Sequence, residues 1–371
     1  PGARPLRSLP CPPPVHPTAP TVGHPVSFRP ALGVGRAGIH RHGQNLRLLP
    51  TDFKQRSHIE QRYGKKFIPD DMTIQDWGVS YEDLEPSYDK WEYLCGISGQ
   101  AGNIQGKIQD GGNPFEAPRA RGYPLPPLKR SAATVKFDRA AKEVGFKPFP
   151  CAAANTSQAY KNPYGVQMGK CTYCGFCEWF ACGNYSKSSP QTTILPVLLA
   201  KKNFSYRTEC DVTKVNLDSS GKRATGVTYV DANGNAFEQP AELVILCAFA
   251  QHNAHLMLLS GIGAPYDPQT GQGVIGKNYA YQITSSVNLF YDDKILNPFI
   301  GAGAHGMLGD EWNGANCDTA GLGLSGGGVP GDVGLGGEGR VPGRGFVELG
   351  AGVRVARPVL VPSYDKHLAG I

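Results

Sequence analysis

The sequence predicts a mixed α/β protein whose two ends differ from its middle. Between residues 50 and 200, short segments that begin with helix-capping residues and end at glycine indicate α-helices. Between residues 203 and 248, apolar stretches separated by turn residues indicate β-strands. Residues 1–30 are rich in proline and residues 321–371 in glycine, valine and arginine, without the periodicity of a packed element. We therefore expect both ends to be irregular and disordered.

Composition excludes several classes of protein. The 371 residues allow two domains or one large one, and a hydrophobic fraction of 40% permits a packed core. The net charge of +6 would suit an acidic partner, but many arginines lie in or near the irregular ends, so we do not expect nucleic-acid binding. No apolar run is long enough to span a membrane. Ten cysteines are too few for a disulfide scaffold of this length.

Helices are expected on both sides of the cysteine-rich centre. Capping residues and glycine stops define each of them. The expected helix from Tyr81 to Leu94 would have an apolar face that consists of Leu84, Tyr88, Trp91 and Leu94. The expected helices run from Thr51 or Asp52 to Tyr63, from Tyr81 to Leu94, from Val135 to Val144, and onward from Pro190 after the capping pair Ser188-Ser189.

The β-structure begins after residue 203. Strands are predicted at Tyr206–Val215 and Ala224–Val230, and Asn233-Gly234 marks a hairpin turn. Ala241–Ala248 is almost entirely apolar, which predicts a strand buried on both faces, as in a parallel sheet. A helix follows at His252–Ser260; ligands of doubly wound sheets bind after such strands, although an ordinary core element has the same pattern.

Changes in composition divide the chain into five regions. A further strand is predicted at Ile283–Tyr291. The expected regions are a disordered proline-rich segment (1–30), a cofactor-contacting and cysteine-cluster region (31–200), a hairpin, buried strand and helix (201–280), the start of a second domain (281–320) and an irregular glycine-rich tail (321–371).

Four cysteines within twelve residues form the strongest chemical signal. Cys171, Cys174, Cys177 and Cys182 follow the spacing C-x2-C-x2-C-x4-C, close to the run that wraps an iron–sulfur cluster in bacterial ferredoxins. Structural zinc usually takes two CxxC pairs separated by a longer loop, so the compact run favours a cluster over zinc. Disulfides or free thiols are the third interpretation, although cysteines this close pair awkwardly.

A glycine motif lies closer to the N-terminus. Gly33-Val-Gly35-Arg-Ala-Gly38 matches G-x-G-x-x-G, which binds a dinucleotide phosphate when it follows a strand and opens a helix. Here the preceding segment is polar and contains Pro30, so we do not interpret the motif as the first phosphate loop of a Rossmann fold. Contact with a cofactor from another position stays open.

Several stretches together resemble one family. They are Cys171–Cys182 with its flanks Asn162–Gly165 and Ser189–Pro196, then Ala224–Asp231 with Val244–Ala248 and Leu258–Gly263, then Leu49–Lys54, then Gly301–Gly306 and Glu311–Asn316. The segment from about Gly33 to Gly328 resembles the gluconate 2-dehydrogenase flavoproteins, a branch of the glucose–methanol–choline (GMC) oxidoreductases close to the fructose, sorbitol and FAD-glucose dehydrogenases. The fold class implied is a partial FAD-binding fold of that family.

The resemblance implies an FAD-dependent enzyme. Such proteins oxidise a sugar or sugar-acid alcohol by hydride transfer to FAD, and an iron–sulfur cluster on the cysteines would pass electrons on singly. The implied partners are a cytochrome c subunit and a small subunit of a membrane-bound complex, at the periplasmic face of the bacterial inner membrane.

The resemblance also implies cofactor-binding residues. A loop against the flavin would contain Gly33, Gly35, Gly38, His40 and Gly43, with Val212 at the adenine and Ala248 at the turn back toward the cofactor. Arg36, Arg41 and His42 replace the Gly, Trp and Asn that the family usually has, and the two arginines are expected to crowd the cofactor.

The catalytic residues cannot be assigned from the resemblance. None of the nine histidines lies in a stretch that matches the family's catalytic histidine, and His305 is interpreted as structural. We expect residues 1–30 and 321–371 to be unrelated to the family, because of a reading-frame shift at each end of a truncated gene. We therefore expect the activity to be impaired. Two alternatives stay open: an iron–sulfur or zinc-binding electron-transfer fragment without catalysis, and a fragment that does not fold because its buried strand has lost its partners.

Overall fold

The structure is a computed structural model. It describes residue 38, residues 41–70, 72–177, 180–279 and 301–318, and the backbone of residues 283–291, 320–322, 328–332 and 345–353. The proline-rich segment 1–30 therefore lies outside the described residues.

Seven α-helices lie within the described residues. They are α1 (Pro50–Phe53), α2 (Gln55–Tyr63), α3 (Tyr81–Cys95), α4 (Ala132–Glu143), α5 (Pro190–Thr193), α6 (Leu195–Leu199) and α7 (Ala250–Leu259). Short 3-10 turns occupy Lys65–Phe67, Gly314–Asn316 and Ala320–Leu322. Each helix predicted from capping signals is present, with boundaries that differ by a few residues.

The capping chemistry explains where these helices begin and end. Ser80 accepts the backbone N–H of Asp83, and the Asp83 carboxylate accepts that of Ser80, so α3 begins with a complete capping box. The same helix ends at Gly96 in the left-handed conformation. The first predicted helix is instead two, because the backbone leaves helical geometry at Lys54.

Twelve strands form four sheets in the described part of the chain. They are β1 (Asn103–Ile104), β2 (Lys107–Ile108), β3 (Phe149–Pro150), β4 (Tyr160–Lys161), β5 (Gln167–Met168), β6 (Asp211–Leu217), β7 (Ala224–Val230), β8 (Ala236–Pro240), β9 (Ile283–Tyr291), β10 (Met307–Leu308), β11 (Gly328–Asp332) and β12 (Gly345–Val353). The pairs β1–β2 and β4–β5 are short hairpins.

The predicted β-hairpin is confirmed as part of a meander. Strands β6, β7 and β8 form an antiparallel sheet in that order. The β7–β8 turn brings Gly234 to φ 86°, the positive value that Asn-Gly turns favour, while Asp231 accepts backbone N–H groups across the turn. Helix α7 packs on β6, where the Ser260 hydroxyl accepts the backbone N–H of Val215.

The other large sheet joins distant parts of the chain. Its five strands follow the order β3, β10, β11, β12, β9, and all neighbours are antiparallel. The strand predicted at Ile283–Tyr291 is β9. Two strands, β11 and β12, lie within the tail that we expected to be irregular from residue 321.

The buried strand predicted at Ala241–Ala248 is wrong. This segment forms no strand, and the Leu243 and Ile245 side chains are 75% and 72% exposed. Its apolar composition indicated burial, but burial of an extended segment on both faces requires neighbouring strands. Among the described strands only β7 contacts it by backbone hydrogen bonding, through the N–H of Ala241 to the carbonyl of Thr225 at 3.0 Å.

The apolar face predicted for α3 is also wrong in part. Trp91 is 44% exposed and donates its indole N–H to Asn45, whereas the buried positions are Tyr81, Glu92 and Cys95. A carboxylate occupies the buried face because two arginines from outside the helix, Arg47 and Arg119, bind it.

Candidate functional site

The site is built around a buried segment, residues 151–156. These six residues, Cys-Ala-Ala-Ala-Asn-Thr, have exposures of 3% or less. Small side chains let other backbones approach closely. Its backbone hydrogen bonds join it to Gly43, Ser98, Cys171, Ser186, Ser188 and Gly306. The segment therefore places the loop after residue 41, the cysteine loop and the 301–306 loop around itself. Sequence reasoning missed it; its only signal was the run of small residues.

The cysteine loop bends sharply between its first three cysteines. Tyr173 and Gly175 have φ values of 56° and 78°, and the loop pairs with residue 301 through the hydrogen bonds Gly301 N–H to Tyr173 and Gly175 N–H to Gly301. Cys171 and Cys177 are buried, with 7% exposure each. Cys174 is exposed and Cys182 is half-buried.

Backbone and amide groups face the buried sulfurs. The Cys171 Sγ accepts the N–H of Tyr173 at 3.4 Å. The Cys177 Sγ accepts the side-chain amide of Asn155 at 3.5 Å and the backbone N–H of Gly303. Such donors stabilise the thiolate form that binds metals.

Burial opposes ionisation of these thiols. It raises the pKa of Cys171 to about 11, partly opposed by the Tyr173 N–H and reinforced by the charges of Cys174, Cys177 and Cys182. Burial also raises the pKa of Cys177, while Gly303 and Lys187 lower it. The other three cysteines therefore disfavour ionisation of Cys171.

The structure does not show a formed metal centre. Across the described ranges, no three Cys, His, Asp or Glu side chains are arranged to hold a metal ion. The nine described cysteines are free thiols, so the disulfide interpretation is not realised there.

The residues predicted to contact the cofactor fall into three groups. Gly33, Gly35 and His40 lie outside the described residues. Gly38 and Gly43 belong to the part of the chain around the 151–156 segment, and a Cβ added at Gly38 would lie 3.2 Å from the Cδ atom of Pro190. Val212 and Ala248 belong instead to the meander and the start of α7.

Val212 and Ala248 are not joined to the cysteine region by hydrogen bonds within the described residues. Val212 is 46% exposed on β6. The backbone N–H of Ala248 is accepted by the Asn253 side chain at 2.7 Å. A hydrogen bond from Thr73 to Asn278, at 2.7 Å, connects the α2–α3 region with the segment that follows α7.

Gly43 fits tightly against Asn155. Its φ is 108°, and a Cβ added there would lie 2.3 Å from Asn155 Oδ1. That buried oxygen has no hydrogen-bond partner among the residues that the structure describes. Only glycine fits this position, because a side chain would meet both the overlap and the unfavourable backbone conformation.

Part of the Arg41 guanidinium group is buried inside the protein. The Nε and Nη2 atoms are buried and make no hydrogen bond with any described residue. Burial lowers the pKa of Arg41, and the nearby Cys95 opposes that shift. These two charged N–H donors of Arg41 therefore have no acceptor in the described part of the chain. This is unusual, because buried guanidinium groups normally donate to a hydrogen-bond partner.

His305 has a structural position. The residue is 8% exposed, and its ring contacts the backbone of Ala302 through Nδ1. Gly301 leaves room for that ring, because a Cβ there would lie 2.7 Å from the imidazole. These contacts agree with the interpretation of His305 as structural.

A buried ionic network forms a second feature that sequence reasoning missed. Glu92 is 0% exposed and binds Arg47 with two hydrogen bonds, of 2.8 and 2.9 Å. It also binds Arg119, which pairs with Glu116 at 3.0 Å and covers the Tyr123 ring. Burial raises the pKa of Glu116, and Arg119 opposes the shift. The two arginines lie 45 and 27 residues from Glu92, so no local pattern reveals the network.

A small cavity lies next to this network. Its volume is about 30 Å³, and its wall includes Arg47, Glu116, Tyr123, Asn113 and Asp310. This volume suits a water molecule and is far too small for a sugar or a flavin. The network therefore supports the scaffold in this part of the described chain.

Comparison with known proteins identifies the family. Residues 75–284 match the sequence model described as GMC oxidoreductase. The chain is 48% identical over 305 residues to the gluconate 2-dehydrogenase flavoprotein of Pantoea cypripedii, covering 81% of this chain and 50% of that protein. It is 26% identical over 253 residues to 2-methyl-1,2-propanediol dehydrogenase of Mycolicibacterium austroafricanum, covering 67% and 40%.

Other similarities are more distant. The chain is 22% identical over 253 residues to the fructose dehydrogenase large subunit of Gluconobacter japonicus, covering 66% of this chain and 40% of that protein. A crystal structure of formate oxidase aligns with a TM-score of 0.47 and 15% identity, covering 86% of this chain and 58% of that one. The chain spans about half the length of the curated relatives it matches. Since more than half of its residues match the family's sequence model, the chain belongs to the GMC oxidoreductases.

Proposed function

We propose that this chain is the FAD-binding part of a dehydrogenase that oxidises an alcohol group of a sugar or sugar acid such as gluconate. The observation that carries the proposal is the 48% identity to the gluconate 2-dehydrogenase flavoprotein over 81% of the chain. The similarity to a fructose dehydrogenase subunit supports a sugar-like substrate.

The residues around the 151–156 segment fit a phosphate-bearing cofactor. FAD, when bound, accepts the hydride from the carbon that carries the substrate hydroxyl. Arg41, which the sequence led us to expect would crowd the cofactor, would instead supply charge-assisted hydrogen bonds to its anionic group, because the buried Nε and Nη2 atoms have no acceptor among the described residues. Gly43 keeps its backbone close to Asn155, where a larger residue would displace the loop.

We further propose that Cys171, Cys174, Cys177 and Cys182 hold an iron–sulfur cluster that carries electrons singly. The donor chemistry fits, because the two buried sulfurs of Cys171 and Cys177 accept N–H groups. In the described ranges, the cysteine sulfurs are not arranged to hold a metal ion. The cluster proposal is therefore supported by the spacing of the cysteines in the sequence and by the N–H groups that face two of the sulfurs.

We propose that the electron acceptor is a cytochrome c subunit, and that a small subunit is a further partner in a membrane-bound complex at the periplasmic face of the bacterial inner membrane. Support comes from the family resemblance and from the word "subunit" in the name of the fructose dehydrogenase relative. No helix of the described residues is long and apolar enough to cross a membrane.

A second candidate function is electron transfer or metal binding without catalysis. Its support is the clustering of four cysteines in a chain for which no catalytic histidine has been assigned. Measurements of iron, zinc and acid-labile sulfide would distinguish an iron–sulfur cluster from a zinc site. Bound flavin would distinguish the enzyme from both of these forms.

The test is the absorbance spectrum of the purified chain after reconstitution with FAD, iron and sulfide. We expect flavin bands that bleach when gluconate or another sugar acid is added without oxygen. Cys171→Ser should lose iron and keep the flavin, while Cys210→Ser, outside the cluster, should keep both. A chain that retains no flavin contradicts the enzymatic proposal, and equal iron in both variants contradicts the cluster ligands.

A further inference from the structure

Lys187 is a buried cation between two functional loops. The residue is only 2% exposed. The Nζ atom donates to the carbonyl oxygen of Arg41 at 3.0 Å, to that of Phe180 at 2.9 Å and to that of Cys177. An ammonium group donates up to three protons, and each of these carbonyls can accept one.

The three acceptors belong to two separate loops. Arg41 precedes Gly43 and is 146 residues from Lys187 in the sequence, whereas Cys177 and Phe180 belong to the cysteine loop. The Lys187 backbone is itself fixed, because residue 187 pairs with Asn155 in the buried central segment. The Lys187 side chain therefore hydrogen-bonds to both the Arg41 loop and the cysteine loop, from a backbone position that the central segment holds in place.

The position also carries an electrostatic consequence. Burial lowers the pKa of Lys187, as does the positive charge of Arg41, while Cys177, Cys182 and Cys174 act in the opposite sense. A neutral side chain could link the loops without desolvating an ammonium, whose burial costs several kcal/mol. The carbonyl dipoles of Arg41, Phe180 and Cys177 offset that cost.

We infer that Lys187 is a positioning residue that holds the cysteine loop against the Arg41 loop. The effect of this tether on iron binding rests on the proposed function, since it requires a cluster on the cysteine loop. The mechanical part does not, because the carbonyl contacts exist in the chain without any bound group.

Hydrogen–deuterium exchange on Lys187→Met tests the mechanical part in the full chain. Methionine has a similar length and no donor, so we expect amides in residues 41–45 and 177–182 to lose about tenfold or more in protection, equivalent to about 1.4 kcal/mol. The meander at residues 211–240 should be unchanged. The matched control Lys170→Met removes an exposed lysine just before the same loop and should change neither region.

Lys187→Gln retains part of the tether and serves if the methionine variant does not fold. Because glutamine keeps one donor group, we expect a smaller loss of protection than in Lys187→Met, and a smaller loss of iron after reconstitution than in that variant. Unchanged exchange in both loops for a folded variant overturns the tether. Lost protection with wild-type iron content in Lys187→Met overturns the link between the tether and the cluster. If the unsubstituted chain binds no iron, the cluster proposal and that link fail, and exchange alone still decides the tether.

Discussion

Replacing Glu92 by glutamine should strongly destabilise the protein, although it removes no volume. The Glu92 carboxylate has no exposure and accepts from Arg47 and Arg119, whose side chains are 3% and 0% exposed. Glutamine would offer one oxygen and turn an NH₂ group toward guanidinium donors. Two buried cations would then lose the carboxylate that they share, and each would keep a single carboxylate partner, Glu85 for Arg47 and Glu116 for Arg119, at 3.0 Å.

The size of the effect follows from these contacts. The three hydrogen bonds to the charged carboxylate have a gross value of about 1.5–3 kcal/mol each, and loss of one partner of a buried ion pair costs about 3–5 kcal/mol after relaxation. With an m-value of about 3 kcal/mol/M, the urea midpoint should fall by about 1–1.7 M. Tryptophan fluorescence across a urea series measures the midpoint.

An exposed ion pair provides the matched control. Arg139 and Glu143 are joined at 2.8 Å, but their side chains are 83% and 61% exposed. Glu143→Gln should therefore change the free energy of unfolding by less than about 0.5 kcal/mol. A loss below about 1 kcal/mol for Glu92→Gln, with the control unchanged, would refute the conclusion that buried charge compensation stabilises this part of the fold.

Three further predictions concern other parts of the structure. Ile245→Lys should alter the free energy of unfolding by less than about 0.5 kcal/mol, because the side chain is exposed; a loss above about 2 kcal/mol in urea unfolding would mean that the segment is a buried strand after all. Gly43→Ala should destabilise by about 1–3 kcal/mol, because its Cβ would meet Asn155 Oδ1 at φ 108°; an unchanged thermal midpoint would contradict that overlap. The hydrogen bond with Arg121 lowers the pKa of Asp89, so the ionised carboxylate stabilises the folded state above its unfolded pKa of about 4, and this contribution is lost as the pH falls through the lower folded value. Asp89→Asn should flatten that acid dependence in urea unfolding measured from about pH 6 to about pH 2, and an unaltered slope would argue against the pair.

Much of the local structure was predictable because its causes are local. Ser80 and Gly96 define α3 through hydrogen bonds and a backbone conformation confined to the helix ends. The turn at Gly234 likewise depends on residues within a few positions. The family was predictable for a related reason, since several short stretches keep a recognisable order along the chain.

The site was only partly predictable. The spacing of the cysteines identified Cys171 and Cys177, which the structure places together in a buried cluster with the 151–156 segment. Nothing in the sequence indicated that Lys187 would reach Arg41 across 146 residues. Its contacts depend on how the central segment brings two loops together.

The sequence by itself determined which segments are helical, where the hairpin turns and which four thiols are close along the chain. The tertiary structure alone decided burial: it enclosed Glu92 and Lys187, which are charged, and exposed Ile245, which is apolar. The physical reason is that hydrophobicity expresses a tendency of a single side chain, whereas actual burial requires partners. A charge can be buried when distant groups compensate it, and an apolar strand is buried only when neighbouring strands cover it.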